Sequence, residues 1–135
     1  MELSEIVDSF EFLDDWEDKY RFVIDLGKSL EAMPEALKID ANLVRGCQSQ
    51  VWLHVHLHED GTVLLQLDSD AHIVRGLIAI VLAIYAHKPP AEILSINIED
   101  IFARLELVEH LSQTRGNGLR AMVAKIREKT AEQAS

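Results

Sequence analysis

The sequence predicts an α+β fold, a small antiparallel β-sheet covered on one side by several helices. Three observations carry it. Apolar residues follow helical spacing at both ends of the chain, and a central stretch from Val51 drops to a period of two on either side of a turn. Directly after that stretch comes the most apolar run of the chain, Gly76 to Ala86. At 135 residues the chain suffices for one hydrophobic core and is short for two, so residues 1–135 are expected to form one domain.

At the amino end, Ile6, Phe10 and Leu13, then Trp16, Tyr20, Val23, Ile24 and Gly27, mark two helices, with Asp14 and Asp15 placed to cap the second. Pro34 and the irregular stretch MPEALKIDANLVRG break the period, so a loop or a short helical turn is expected over about 33–50. From Val51, residues 51, 53, 55 and 57 face one way and Trp52, His54, His56 and His58 the other. The turn residues Glu59-Asp60-Gly61 and the alternating Val63, Leu65 and Leu67 complete a hairpin with one apolar face. Ser69 or Asp70 is expected to cap a central helix over about Ala71–Ala86. Pro89 and Pro90 end it and open a short helix at AEIL, and another is expected over Glu99–Leu107. The last is expected to begin near Asn117, presenting Leu119, Met122, Val123 and Ile126 as a stripe, with RGNG (115–118) as the turn before it and a fraying polar tail behind.

Charge narrows the function. With 23 acidic against 13 basic residues the formal net charge is −10, which repels the phosphates of nucleic acid and of anionic lipid. The first 18 residues hold eight acids and no Lys or Arg, the reverse of a targeting segment, and the run Gly76–Ala86 is far shorter than the ~20 residues that span a bilayer. One cysteine allows no internal disulfide and no tetrathiolate zinc or iron–sulfur site on one chain. A reducing cytoplasm is the expected compartment.

That cysteine sits in RGCQSQ (45–50). By residue type a lone cysteine is most often a buried small hydrophobe. Its polar neighbours and Gly46 point instead to a loop that presents Cys47, and Arg45 stands close enough in sequence to favour the thiolate. On residue chemistry alone the two readings stand level. A cysteine hydrolase needs a histidine base, and none of His54, His56, His58, His72, His87 and His110 lies in a local motif for one. Alternate positions 54, 56 and 58 could chelate zinc or nickel, but a polar residue at every second strand position is also what a wet sheet face predicts. The amino-terminal acids read as the solvated side of amphipathic helices, and Asp70 and Arg115 as a cap and a surface charge. A histidine-rich metal-binding or structural module with an incidental cysteine is therefore the alternative to a reactive Cys47.

The segments RGCQSQVWL, DSDAHIVRGLIAIVLAIY and HLSQTRGNGLRAM together resemble the SufE family of sulfur-acceptor proteins, in order and over essentially the whole chain. The resemblance implies an α+β sandwich shared with the IscU-like cluster-scaffold proteins. It also implies a persulfide carrier without a cofactor of its own. Its partner would be a SufS- or CsdA-like cysteine desulfurase, which holds the pyridoxal phosphate, and the sulfur would pass to an iron–sulfur scaffold or another downstream acceptor. Carried over by position, Cys47 is the acceptor, and Asp70 and Arg115 take supporting roles beside the cysteine loop. His54, His56 and His58 are not part of the family pattern, and Gln113-Thr114 stands where family members often have Pro-Ser.

Overall fold

Six α-helices and a two-stranded antiparallel sheet build the molecule, and the computed structural model describes residues 2–134. Helices α1 (Leu3–Phe12) and α2 (Trp16–Lys28) follow the amino-terminal apolar spacing, and Asp15 caps α2 by accepting the Asp18 N–H at 2.8 Å. Two short 3₁₀ turns, Glu35–Leu37 and Asp40–Asn42, occupy the stretch after Pro34. Strands β1 (Val51–Leu57) and β2 (Val63–Ser69) pair in the register Val51↔Ser69 through Leu57↔Val63. Their odd-numbered residues Val51, Leu53, Val55, Val63, Leu65 and Leu67 are buried, as the alternation requires. The turn is set by Gly61, whose φ of +87° favours glycine, and by Asp60, which accepts from the Thr62 N–H and hydroxyl.

Against the apolar sheet face lie α3 (His72–Tyr85) and α6 (Gln113–Ala134), α2 packs behind α3, and α4 (Pro90–Ser95) rests on α6. Helix α5 is Ile98–Leu105. α3 is buried along Ile73, Val74, Leu77, Ile78, Ile80, Val81 and Ile84, which makes it the centre of the core. It also meets α2 without intervening side chains: a Cβ built on Gly76 would stand 2.1 Å from the Val23 carbonyl oxygen, and one on Gly27 2.6 Å from the Gly76 nitrogen. Two glycines thus set how closely these helices approach.

Several expectations are corrected. The cap of α3 is neither Ser69 nor Asp70: the N-cap position is Ala71 with no side-chain cap, Ser69 Oγ accepts the Ala71 N–H at 3.2 Å, and Asp70 is engaged elsewhere. α5 stops two residues short of Leu107, because Glu106 takes a left-handed conformation (φ +52°). RGNG is no turn; α6 begins at Gln113 and carries those residues in its first turns, while its polar end stays helical through Ala134. Gly116 and Gly118 are buried there, so their lack of a side chain serves close packing and outweighs their poor helix propensity. No helix among the described residues is long and apolar enough to cross a membrane.

Candidate functional site

The segment 45–50 leaves and re-enters the sheet at a closed base. The Val44 N–H donates to the Val51 carbonyl at 2.8 Å, and Leu43 bridges to Trp52. The Gln50 N–H donates to the Asp70 carboxylate at 3.1 Å while the Asp70 N–H donates back to the Gln50 carbonyl at 3.3 Å. Asp70 is therefore the anchor of the cysteine loop. At the loop's other end Gly46 holds φ +91°, a conformation that side chains rarely adopt.

The loop lays Cys47 against α6. Its Sγ donates to the Gly118 carbonyl at 3.5 Å, and a Cβ on Gly118 would lie 3.4 Å from that sulfur. The glycine is what lets the cysteine sit there. Cys47 is half-buried, and burial pushes its thiol above the ordinary value. A carbonyl partner acts in the same sense, because it accepts from the thiol and repels a thiolate. Arg45, expected from its sequence position to favour the thiolate, is exposed and does not lower the thiol. The thiol that the loop presents is thus sheltered at rest.

Beneath the sulfur opens a cleft of about 260 Å³. Its floor is apolar: Val51 from β1, Val74 and Leu77 from α3, Leu119 and Met122 from α6. Its rim is polar: Gln48 and Ser49 from the loop, and Ser112, Thr114 and Arg115 at the start of α6. Ser112 Oγ accepts the Arg115 N–H at 3.3 Å, which fixes the first turn of the helix. The segment just before is pinned where the His110 ring stacks on Trp16 with centroids 3.9 Å apart. Cys47 and Arg115 thus share one cleft, whereas Asp70 stands at the loop's base and does not line it.

Sequence reasoning missed the buried carboxylate of Asp68, 1% exposed. It accepts the Met33 N–H at 3.1 Å and the Ser69 N–H at 2.8 Å, bonds the Arg75 guanidinium, and lies 3.5 Å from Lys38 Nζ. Arg75 also donates to the Leu30 carbonyl at 2.9 Å. Burial pushes the Asp68 carboxyl up, but the two backbone donors and the two cations outweigh it and hold it below the ordinary carboxylate range. The signal was present: an arginine inside the most apolar helix requires a buried partner.

On the outer sheet face, His54 Nδ1 lies 3.2 Å from Gln66 Oε1, while His56 and His58 stack edge to face at 5.9 Å. Among the described residues no group of three or more His, Cys, Asp or Glu is placed to hold a metal ion. The face is not wholly wet, since Trp52 and His54 are half-buried and Lys38 Nζ lies 5.4 Å from the Trp52 ring.

A family model, SufE: Fe-S metabolism associated domain, matches residues 4–130. The chain belongs to the SufE family. An uncharacterized SufE-like protein of Rhizobium meliloti (strain 1021) is 52% identical over 128 residues, covering 93% of this chain and 91% of that one. A second, from Rhizobium etli, is 51% identical over 136 positions, covering 98% and 92%. Among solved structures, the solution structure of a hypothetical protein from Thermus thermophilus superposes with a TM-score of 0.79 over 98% of this chain and 95% of that chain. At 16% identity that likeness establishes the α+β fold alone. Membership ties the chain to iron–sulfur metabolism.

Proposed function

We propose that Cys47 is a persulfide acceptor that takes sulfane sulfur from a pyridoxal-phosphate-dependent cysteine desulfurase of the SufS or CsdA kind, stimulates it, and relays the sulfur to iron–sulfur cluster assembly in a reducing cytoplasm. In this reading the protein is an accessory carrier. The observation that carries it is the chain's one thiol, set at the mouth of a cleft with an apolar floor and a polar rim.

The chemistry needs little more than that. The Cys47 thiolate attacks the outer sulfur of the donor persulfide, and a new S–S bond forms as the donor's own S–S bond breaks. The electron pair of the broken bond leaves on the donor's sulfur, which takes up the proton that Cys47 gives up. Nothing is oxidised overall, and no base held beside the thiol is required. At rest the thiol is sheltered and its ionisation disfavoured. Transfer therefore requires the loop to leave Gly118, with Gly46 free to turn and the Asp70–Gln50 pair keeping the base closed. Arg115 at the rim supplies positive charge toward the anionic sulfur, and the cleft floor shelters the loaded persulfide from reductants. A single cysteine favours carriage, because a second nearby thiol would attack the inner sulfur and release the cargo.

Incubation with a cysteine desulfurase, cysteine and pyridoxal phosphate, followed by intact-mass spectrometry, tests this. The expected result is an adduct of about +32 Da mapping to Cys47, the mass of one sulfur atom, with faster sulfide release. Both should vanish in Cys47→Ser. No adduct, no stimulation, and a Cys47→Ser protein that behaves like the parent would sink the proposal.

A further inference from the structure

From Met33 to the cysteine loop the chain runs as a strap along the sheet, built from the two 3₁₀ turns. Its ends are fixed by backbone bonds. The Met33 N–H donates to the Asp68 carboxylate at 3.1 Å, while Leu43 bridges to Trp52 and the Val44 N–H donates to the Val51 carbonyl at 2.8 Å. Between those ends the hydrogen bonds of the 3₁₀ turns stay within the strap, including that of Asn42 Nδ2 to the Leu37 carbonyl at 2.8 Å, and Ile39, Asp40 and Ala41 are exposed. Lys38 ties the middle. Its Nζ lies 3.5 Å from the Asp68 carboxylate and 5.4 Å from the centre of the Trp52 ring. Trp52 and Asp68 face each other across the hairpin, so a single ammonium group holds the strap to both strands.

We propose that Lys38 is a positioning residue for Cys47: its ammonium group, seated on Asp68 and Trp52, holds the strap against β1 and keeps the cysteine loop folded onto Gly118, and its withdrawal lets the loop leave. Only residues 39–44 separate Lys38 from Arg45, where the loop begins. The inference rests on the reading of Cys47 as a sulfur acceptor for its use, since transfer requires that departure.

Lysine suits a tie that opens. The side chain keeps 22% of its surface in water, so rotation about its stem returns the charge to solvent. Asp68 is not orphaned, because the Arg75 guanidinium and the Met33 and Ser69 N–H groups remain on its carboxylate. Arg75 is the fixed partner: it reaches Asp68 from α3 and also donates to the Leu30 carbonyl at 2.9 Å. Two residues beyond Asp68, Asp70 holds Gln50. Release of Lys38 therefore frees the Arg45 end of the cysteine loop while the Gln50 end stays anchored.

Alkylation of native Cys47 by iodoacetamide, well below the unfolding temperature, tests the proposal. Lys38→Met should react several-fold faster than the parent with an unchanged circular dichroism spectrum, and Lys38→Gln should behave likewise. Lys38→Arg, which keeps a cation for Asp68 and Trp52, should return the rate to that of the parent. The pH of half-maximal alkylation should fall in Lys38→Met toward the ordinary thiol value, because the sulfur spends more time away from the burial that raises it. A role in stability alone would leave that midpoint in place. Gly27→Ala is the control: its Cβ would stand 2.6 Å from the Gly76 nitrogen, so it weakens the α2–α3 contact without touching strap or loop. Local opening is separate from global unfolding, and this variant should alkylate at the parent rate. Parent-like rates in Lys38→Met and Lys38→Gln, an unmoved midpoint, or equal acceleration in Gly27→Ala would overturn the proposal. No desulfurase enters the assay, so the two readings fail separately: a missing sulfur adduct on Cys47 sinks the carrier and leaves the strap, and parent-like alkylation sinks the strap and leaves the carrier.

Discussion

Replacing Asp68 by alanine should cost about 3 kcal/mol of stability, from the range of roughly 3–5 kcal/mol for breaking a buried ion pair. The lower end applies because Arg75 and Lys38 keep 21% and 22% of their side-chain surface in water, and Arg75 retains its bond to the Leu30 carbonyl. In a chain of this size that loss lowers Tm by about 10 °C. Urea unfolding followed by circular dichroism measures it, and Asp68→Asn, which keeps an acceptor but no charge, separates ionic from hydrogen-bonding contributions. A double-mutant cycle with Arg75→Met isolates the pair itself. The pH dependence has a definite sign. Asp68 is held below its unfolded value, so its contribution is full above about pH 3.9 and is lost as pH falls below that through the folded value. The gap between the parent and Asp68→Asn should therefore narrow on acidification from about pH 5 to below about 3. A loss under about 1 kcal/mol, the scale of an exposed pair, or a gap that widens in acid would refute the reasoning.

Three further outcomes follow from the same geometry. Gly76→Ala places a Cβ 2.1 Å from the Val23 carbonyl oxygen and should destabilise by about 2 kcal/mol or more despite the gain in helix propensity; an unchanged urea midpoint would count against the close α2–α3 contact. The alkylation rate of native Cys47 should titrate above about pH 8.5, the ordinary thiol value, and because the folded thiol is raised, stability should fall as pH rises through the unfolded value. A midpoint below about 8 would contradict the sheltered thiol. Gly118→Val adds methyl groups where Sγ now rests, since a Cβ alone stands 3.4 Å away. It should release the loop and speed alkylation several-fold with helix content retained, and no change in rate would show that the Gly118 contact does not restrain the cysteine.

Sequence and structure part company at particular residues. The hairpin from Val51 to Ser69 was legible because alternation is a property of near neighbours. The amino-terminal helices, the Asp15 cap and the proline-led α4 were legible for the same reason. RGNG was misread because glycine is a poor helix former taken locally. Its burial at Gly118 answers to Cys47, 71 positions away. Asp70 looked like a cap and is a loop anchor, because its partner Gln50 lies 20 positions back.

The sequence by itself determined the periodic elements, the acidic balance and the presence of one cysteine in a polar, glycine-led loop, and its resemblance pointed to the family. Only the tertiary structure decided that the thiol is sheltered, that Arg115 shares its cleft while Asp70 holds its loop, and that Asp68 joins three segments of the chain. The reason is physical. Periodicity records which face of a local segment is apolar, whereas burial, thiol acidity and ion pairing depend on everything that surrounds a group, and those neighbours come from distant parts of the chain.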